Sequence, residues 1–156
     1  MKKVLFSGII VLAAAAVVFA GTLLLGTKRE MENISSYADG MEKAQKITVK
    51  DAESLEEIAD ITGSTEIDEF VENLEMESWR LKNVPEDAEP DREYDFSQQK
   101  TLKARETERD EELYPVCSLI TYKDMLYMTI SAGGISLDFE VPQSVQDYLE
   151  SAEGEI

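Results

Sequence analysis

The chain has 156 residues, of which 33 are acidic, 15 are basic and none is histidine, so its formal net charge is −18. A charge of this sign repels phosphate backbones and argues against nucleic-acid binding. The lack of histidine removes the commonest general acid–base group and the commonest metal ligand. Cys117 is the only cysteine, which excludes an intramolecular disulfide and a cysteine-rich metal site.

The beginning of the chain is apolar. Lys2 and Lys3 precede an uncharged run over residues 4–26, which as a helix would span about 34 Å and cross the hydrocarbon core of a bilayer. The sequence therefore predicts a transmembrane helix, a signal anchor, over residues 1–27. Cleavage as a signal peptide near Ala20 is the alternative, because small residues there suit a signal peptidase. The anchor is favoured because the apolar run continues well past that position.

The rest of the chain is strongly acidic. All 33 acidic residues and 13 of the 15 basic ones follow Gly26, a net charge of −20 (13 − 33). Few positive charges hold this part in the cytoplasm, and we expect a single-pass cell-membrane protein whose C-terminal domain is extracytoplasmic. Polar residues 28–45 predict a stalk, residues 46–150 predict one acidic domain, and residues 151–156 predict a flexible tail.

The first part of the domain predicts a strand followed by two helices. The β-branched residues 47–49 predict the strand. Residues 51–62 predict a helix that Asp51 or Ser54 caps and Gly63 ends. One face of this helix would hold Leu55, Ile58, Ala59 and Thr62. A second helix is predicted to begin at Ser64 or Thr65. Its apolar residues fall at the spacing of a buried stripe: Ile67, Phe70, Val71 and Leu74.

Most of the remaining chain predicts strands. They are expected over residues 79–84, around 94–96, and over 114–122, 125–131 and 135–141. Tight turns at Lys123-Asp124 and Gly133-Gly134 would join the last three, and residues 145–149 predict a final amphipathic helix. Residues 100–112 predict a charged loop or a solvent-exposed helix. This element order predicts an α+β domain with an antiparallel sheet of about five or six strands and helices packed on one face.

Few residues are candidates for chemistry. Cys117 lies in an apolar run and is interpreted as buried, Trp79 is interpreted as a core anchor, and the tyrosines at 114, 122, 127 and 148 are alternatively core residues or the lining of a groove. Asp87, Glu89 and Asp91 in the loop after Pro85 are weak candidate ligands for Ca²⁺ that lack the spacing of a calcium loop. No catalytic residue and no cofactor is predicted.

The layout resembles small membrane-anchored or exported domains of Gram-positive bacteria to which no function is assigned. The resemblance rests on core and turn positions: Ile47–Val49, Phe70–Trp79 leading to Val84-Pro85, the strand near Tyr94, Tyr122, Tyr127, Ile130, and Val141-Pro142 followed by Val145 and Tyr148-Leu149. It implies a common fold and an accessory role in the bacterial cell envelope. It implies no catalytic residues.

These observations favour a non-enzymatic module of the cell envelope that binds a protein or peptide partner through its acidic face or a free sheet edge. Two alternatives stay open at this point. One is an envelope domain that binds a cation such as Ca²⁺, and the other is a hydrolase that uses carboxylates alone.

Overall fold

The computed structural model describes residues 37–99 and 113–153, and these form an α+β domain around an antiparallel sheet. Within these residues the sheet has seven strands, more than the five or six expected, in the order β2-β1-β4-β5-β6-β7-β3. The strands are β1 (Lys46–Asp51), β2 (Glu57–Ile61), β3 (Arg80–Leu81), β4 (Pro90–Gln99), β5 (Leu113–Tyr122), β6 (Tyr127–Ala132) and β7 (Ile135–Glu140).

The helical elements are few. They are α1 (residues 37–42), α2 (Ser64–Asn73), a single 3₁₀ turn η1 (Met76–Ser78) and α3 (Gln143–Glu153). No helix in the described part of the chain has the length and apolarity needed to cross a membrane. The transmembrane helix predicted over residues 1–27, and the charged stretch 100–112, lie outside the described residues.

The helix predicted from the stripe after Ser64 is confirmed as α2. All four stripe residues are buried, and Ile67 and Leu74 are completely inaccessible. The ring of Phe70 lies 5.2 Å from the ring of Tyr94 on β4 and 6.0 Å from that of Tyr148 on α3. These contacts place α2 and α3 on the same face of the sheet, as predicted.

The prediction of a helix over residues 51–62 is wrong. This segment forms the turn of a hairpin and then strand β2. The side chain of Asp51 accepts hydrogen bonds from the backbone N–H groups of Glu53 and Ser54, at 3.1 and 2.8 Å. An aspartate makes similar bonds at the start of a helix and in a turn, so the sequence pattern fits both. Leu55 then adopts a left-handed conformation (φ 59°), which redirects the chain into β2.

The last three strands are confirmed as a meander. β5 pairs with β6, and β6 pairs with β7. The connecting turns lie at residues 123–126 and at Gly133-Gly134, and both glycines have positive φ. Phe96, Leu119, Ile130 and Phe139 from four successive strands are completely buried beneath the helices. They form the centre of the core.

The two ends of the domain differ from the boundaries expected. Met41 on α1 is completely buried and Ala44 is nearly so, although both lie in the segment expected to be a polar stalk. The packed core therefore includes residues before Lys46. At the other end, α3 continues to Glu153, beyond the boundary expected at residue 150. β4 begins at Pro90, so part of the expected acidic loop is strand.

Candidate functional site

The sheet face opposite the helices is lined by polar side chains. In antiparallel strands, residues paired directly across the ladder point to the same face. The pairing therefore brings Asp60 of β2, Thr48 of β1, Asp95 of β4 and Ser118 of β5 into one row across this face. We call it the polar face.

Hydrogen bonds and ion pairs connect the row at its β2 end. Thr48 Oγ1 donates to Asp60 Oδ1 at 2.9 Å, and Lys46 Nζ lies 3.0 Å from Asp60 Oδ2. Lys50 Nζ donates to Asp95 Oδ2 at 2.5 Å. The hydrogen bond from Lys46 holds the pKa of Asp60 below its usual value, and the hydrogen bond to Asp95 raises the pKa of Lys50. Asp60 and Lys50 therefore remain ionised at neutral pH.

Negative charge exceeds positive charge at this end of the polar face. On this face, β1 itself carries two ammonium groups, those of Lys46 and Lys50. The residues of β2 and β4 that pair with β1 here carry four carboxylates: Glu57, Asp60, Glu93 and Asp95. Partial burial, and then the neighbouring charge of Asp95, raise the pKa of Glu93. Among the described residues of these rows, carboxylates therefore outnumber ammonium groups by two.

The other end of the polar face has a shorter chain of hydrogen bonds. Thr129 Oγ1 donates to Asp138 Oδ1 at 2.7 Å and lies 2.8 Å from the hydroxyl of Tyr122. Because the single hydroxyl hydrogen of Thr129 is directed to Asp138, the hydroxyl of Tyr122 is the donor to Thr129. These groups satisfy one another, and they leave no side chain positioned as an activated nucleophile.

The outer edge of β2 is one of the two open edges of the described sheet. β2 pairs with β1 on one side, and no described strand pairs with its other side. Ile58 is 49% exposed and Leu55, just before the strand, is 60% exposed, while Ala59 and Ile61 are half-buried. An unpaired strand presents free backbone N–H and C=O groups to another chain. We call this strand edge and its exposed side chains the β2 edge.

The opposite edge strand, β3, is also exposed, with Leu81 at 46%, but it is shorter than β2 and carries Arg80. It has only two residues. After it, the backbone N–H of Lys82 donates to the carbonyl of Asp138 at 3.0 Å, and the backbone N–H of Val84 donates to the Asp138 carboxylate at 3.3 Å. Lys82 Nζ also pairs with Glu140 at 2.7 Å and lies 5.4 Å from the centre of the Tyr127 ring. A short strand flanked by charges is a usual protection against edge pairing.

The candidate calcium ligands are not brought together. Asp87 is exposed in a turn, Glu89 lies 3.5 Å from Lys123, and Asp91 on β4 lies 3.3 Å from Arg92. Among residues 37–99 and 113–153, no group of three or more acidic or cysteine side chains is arranged to hold a metal.

Cys117 and Trp79 lie in the core, as predicted. Burial raises the pKa of the Cys117 thiol to about 12, so the thiolate is disfavoured. The indole N–H of Trp79 donates to the carbonyl of Leu74 at 2.6 Å, and its ring lies 5.5 Å from that of Phe139.

The four tyrosines do not line a common groove. Tyr122 and Tyr127 border a pocket of about 280 Å³ beside the turn at residues 123–126. Tyr148 packs against Phe70 in the core, and the hydroxyl of Tyr114 accepts a hydrogen bond from the side chain of Gln98. The pocket also contains Lys123 and three acidic residues, with no arrangement that favours one ligand.

The chain matches no protein-family model, no curated protein and no solved structure.

The β2 edge was missed in the sequence because its residues were assigned to a helix. A signal was present: the strand Glu57–Ile61 contains no lysine, arginine or proline, although Glu57 and Asp60 give it two charges.

Proposed function

We propose that the chain is a membrane-tethered, non-enzymatic binding module, with its domain on the outer side of a bacterial cytoplasmic membrane. In this role it binds an extended segment of a partner protein at the β2 edge and serves as an accessory of the cell envelope. The tether is the apolar run over residues 4–26.

The observation that carries the binding role is the contrast between the two edges of the sheet. The β2 edge combines exposed Ile58 and Leu55 with backbone that no described strand pairs, whereas β3 has only two residues, one of them Arg80, and is followed by Lys82. Proteins that do not use an edge for binding usually protect it, because an exposed edge promotes aggregation. Addition of a partner strand to such an edge is a recurrent mode of peptide recognition.

Site-specific photocrosslinking in native membranes tests the binding role. A photoreactive residue at position 58 of the full-length chain is expected to yield a discrete crosslinked product with a second protein. The matched control is position 135, since Ile135 is similarly exposed, at 55%, but lies in the β6–β7 hairpin. Equal products from both positions, or none from position 58, would exclude the β2 edge as the binding surface.

The location is tested separately with protease. In intact protoplasts, added protease is expected to digest the acidic domain and leave cytoplasmic marker proteins whole. Domain that survives until the protoplasts are lysed would place it in the cytoplasm and contradict the proposal. A mature N-terminus near Gly21 would show that the leader is cleaved and that the domain has no tether.

A further inference from the structure

We infer that the partner segment at the β2 edge is an extended strand in which basic and apolar residues alternate; this inference rests on the binding role proposed above. The argument uses the two faces of the sheet next to β2. A strand added to this edge would direct its successive side chains alternately to those two faces.

On the helix-covered face, the added strand would meet an incompletely buried part of the core. Ile61 and Ala59 pair with the buried residues Ile47 and Val49 and therefore point to that face, but both remain half-buried. Apolar side chains of the added strand would cover them and extend the core by one strand. Burial of Ala59, Ile61 and the apolar side chains of the added strand contributes binding energy that depends little on which apolar residues the partner carries.

On the polar face, the added strand would meet the excess of negative charge. Asp60 and Glu57 belong to β2 itself, and Asp95 and Glu93 lie two strands further in. In the described part of these rows, Lys46 and Lys50 are the two cations that face the four carboxylates. Lysine or arginine at alternate positions would supply further positive charges. Acidic side chains there would add to the repulsion, which disfavours such partners.

The same charges argue against pairing with a second copy of the chain. Each copy carries a formal charge of −18, and antiparallel pairing of two β2 strands would bring their acidic residues together. Like charges placed across an interface suppress association. The occupant is therefore a different, basic segment.

The test uses full-length protein in a non-ionic detergent and short capped peptides of defined pattern. The probe alternates valine with lysine. One comparison peptide has the same composition with its lysines grouped at one end, and the other alternates valine with glutamate. Binding is measured by fluorescence anisotropy, and hydrogen exchange locates the protected backbone amides.

We expect the alternating basic peptide to bind at least about tenfold more tightly than either comparison peptide, a difference of about 1.4 kcal/mol. It should slow amide exchange in β2 and leave β3 unchanged. Ile58→Lys, which adds like charge at the edge, should weaken binding about tenfold, whereas the matched control Ile135→Lys should not change it.

Equal binding of the grouped peptide would show that charge alone attracts the ligand and would overturn the inference. Protection outside β2 would do the same. A stable dimer of the full-length chain that Ile58→Lys dissociates would identify a second copy as the occupant. If position 58 crosslinks to a partner in membranes while the peptides show no such preference, the inference fails and the binding role survives.

Discussion

β2 and β3 are the two edge strands of the described sheet, but β3 has two residues and is flanked by basic side chains, whereas β2 has five residues and contains neither lysine nor arginine. The β3 end is closed by the Trp79 indole against Phe139 and by bonds from residues 82 and 84 to Asp138. Among the described residues, the β2 end is held by β1, Lys46 and Thr48. From this difference, and from the binding role proposed for the β2 edge, we expect changes at the β3 end to act on folding and changes at the β2 end to act on binding.

The largest effect that sharpens this comparison is expected at Trp79. Trp79→Ala leaves a cavity against Phe139 and should lower the free energy of unfolding by about 3–5 kcal/mol. Trp79→Phe keeps an aromatic ring but loses the hydrogen bond to the Leu74 carbonyl, and should cost about 1–2 kcal/mol. Urea unfolding of the full-length chain, followed by circular dichroism, measures both.

The matched change at the open end is Ile58→Ala. Because this side chain is about half exposed, the substitution should cost less than about 1 kcal/mol. A loss as large as that of Trp79→Ala would show that the β2 edge is part of the stabilising core, and it would remove the contrast between the two ends.

A smaller effect is expected at Asp60. Its pKa is lowered by the hydrogen bond from Lys46, then by that from Thr48. The charged form therefore stabilises the fold above the ordinary carboxyl pKa of about 4, and this contribution is lost as pH falls through the lower pKa of the folded state. Asp60→Asn should cost less than about 1 kcal/mol at neutral pH, because the pair is partly exposed and screened by salt. Unfolding curves of both proteins at neutral and acid pH should converge at acid pH. A constant difference would mean that the pair is not the cause.

The smallest effect has the opposite sign and occurs at Glu93. Partial burial and then Asp95 raise its pKa, so ionised Glu93 opposes folding. The native protein therefore loses stability as pH rises from about 4 through the raised pKa. Glu93→Gln should stabilise the domain by a few tenths of a kcal/mol at neutral pH. Glu93→Asp, which keeps the charge, is the control, and a gain that persists below pH 4 would contradict the explanation.

Elements with a strong local pattern were predictable from the sequence. The four-residue stripe of α2 indicates one buried face, and the structure buries all four residues. In β7 the alternation holds at Phe139, which is buried, but fails at Ile135, which is 55% exposed. Trp79 was predictable because a large aromatic ring beside alternating residues is usually a core anchor. In each case the pattern lies in neighbouring residues, although the core contacts that it predicts, such as that of Trp79 with Phe139, join distant parts of the chain.

The β2 edge was not predictable because its structure depends on distant residues. Leu55, Ile58 and Ala59 have helical spacing, but pairing of Ala59 with Val49 makes the segment a strand. Whether that strand ends the sheet depends on β1 pairing with β4, a partner outside the local pattern. The strand predicted over residues 79–84 is likewise longer than the observed β3, because a strand of two residues leaves almost no periodicity to detect.

The position of β1 between β2 and β4 has a consequence for how the chain is made. During synthesis the β1–β2 hairpin emerges early, whereas the strand that pairs with the inner side of β1 comes about 45 residues later, as the contact between Lys50 and Asp95 shows. Until then the hairpin has two open sides, and a lone hairpin is marginally stable in water. Sheet formation therefore waits for a long loop closure, which predicts slow folding for a chain of this length. A chaperone that acts on the growing polypeptide would bind the β1–β2 hairpin in this interval, when Ile47 and Val49 are still exposed to solvent.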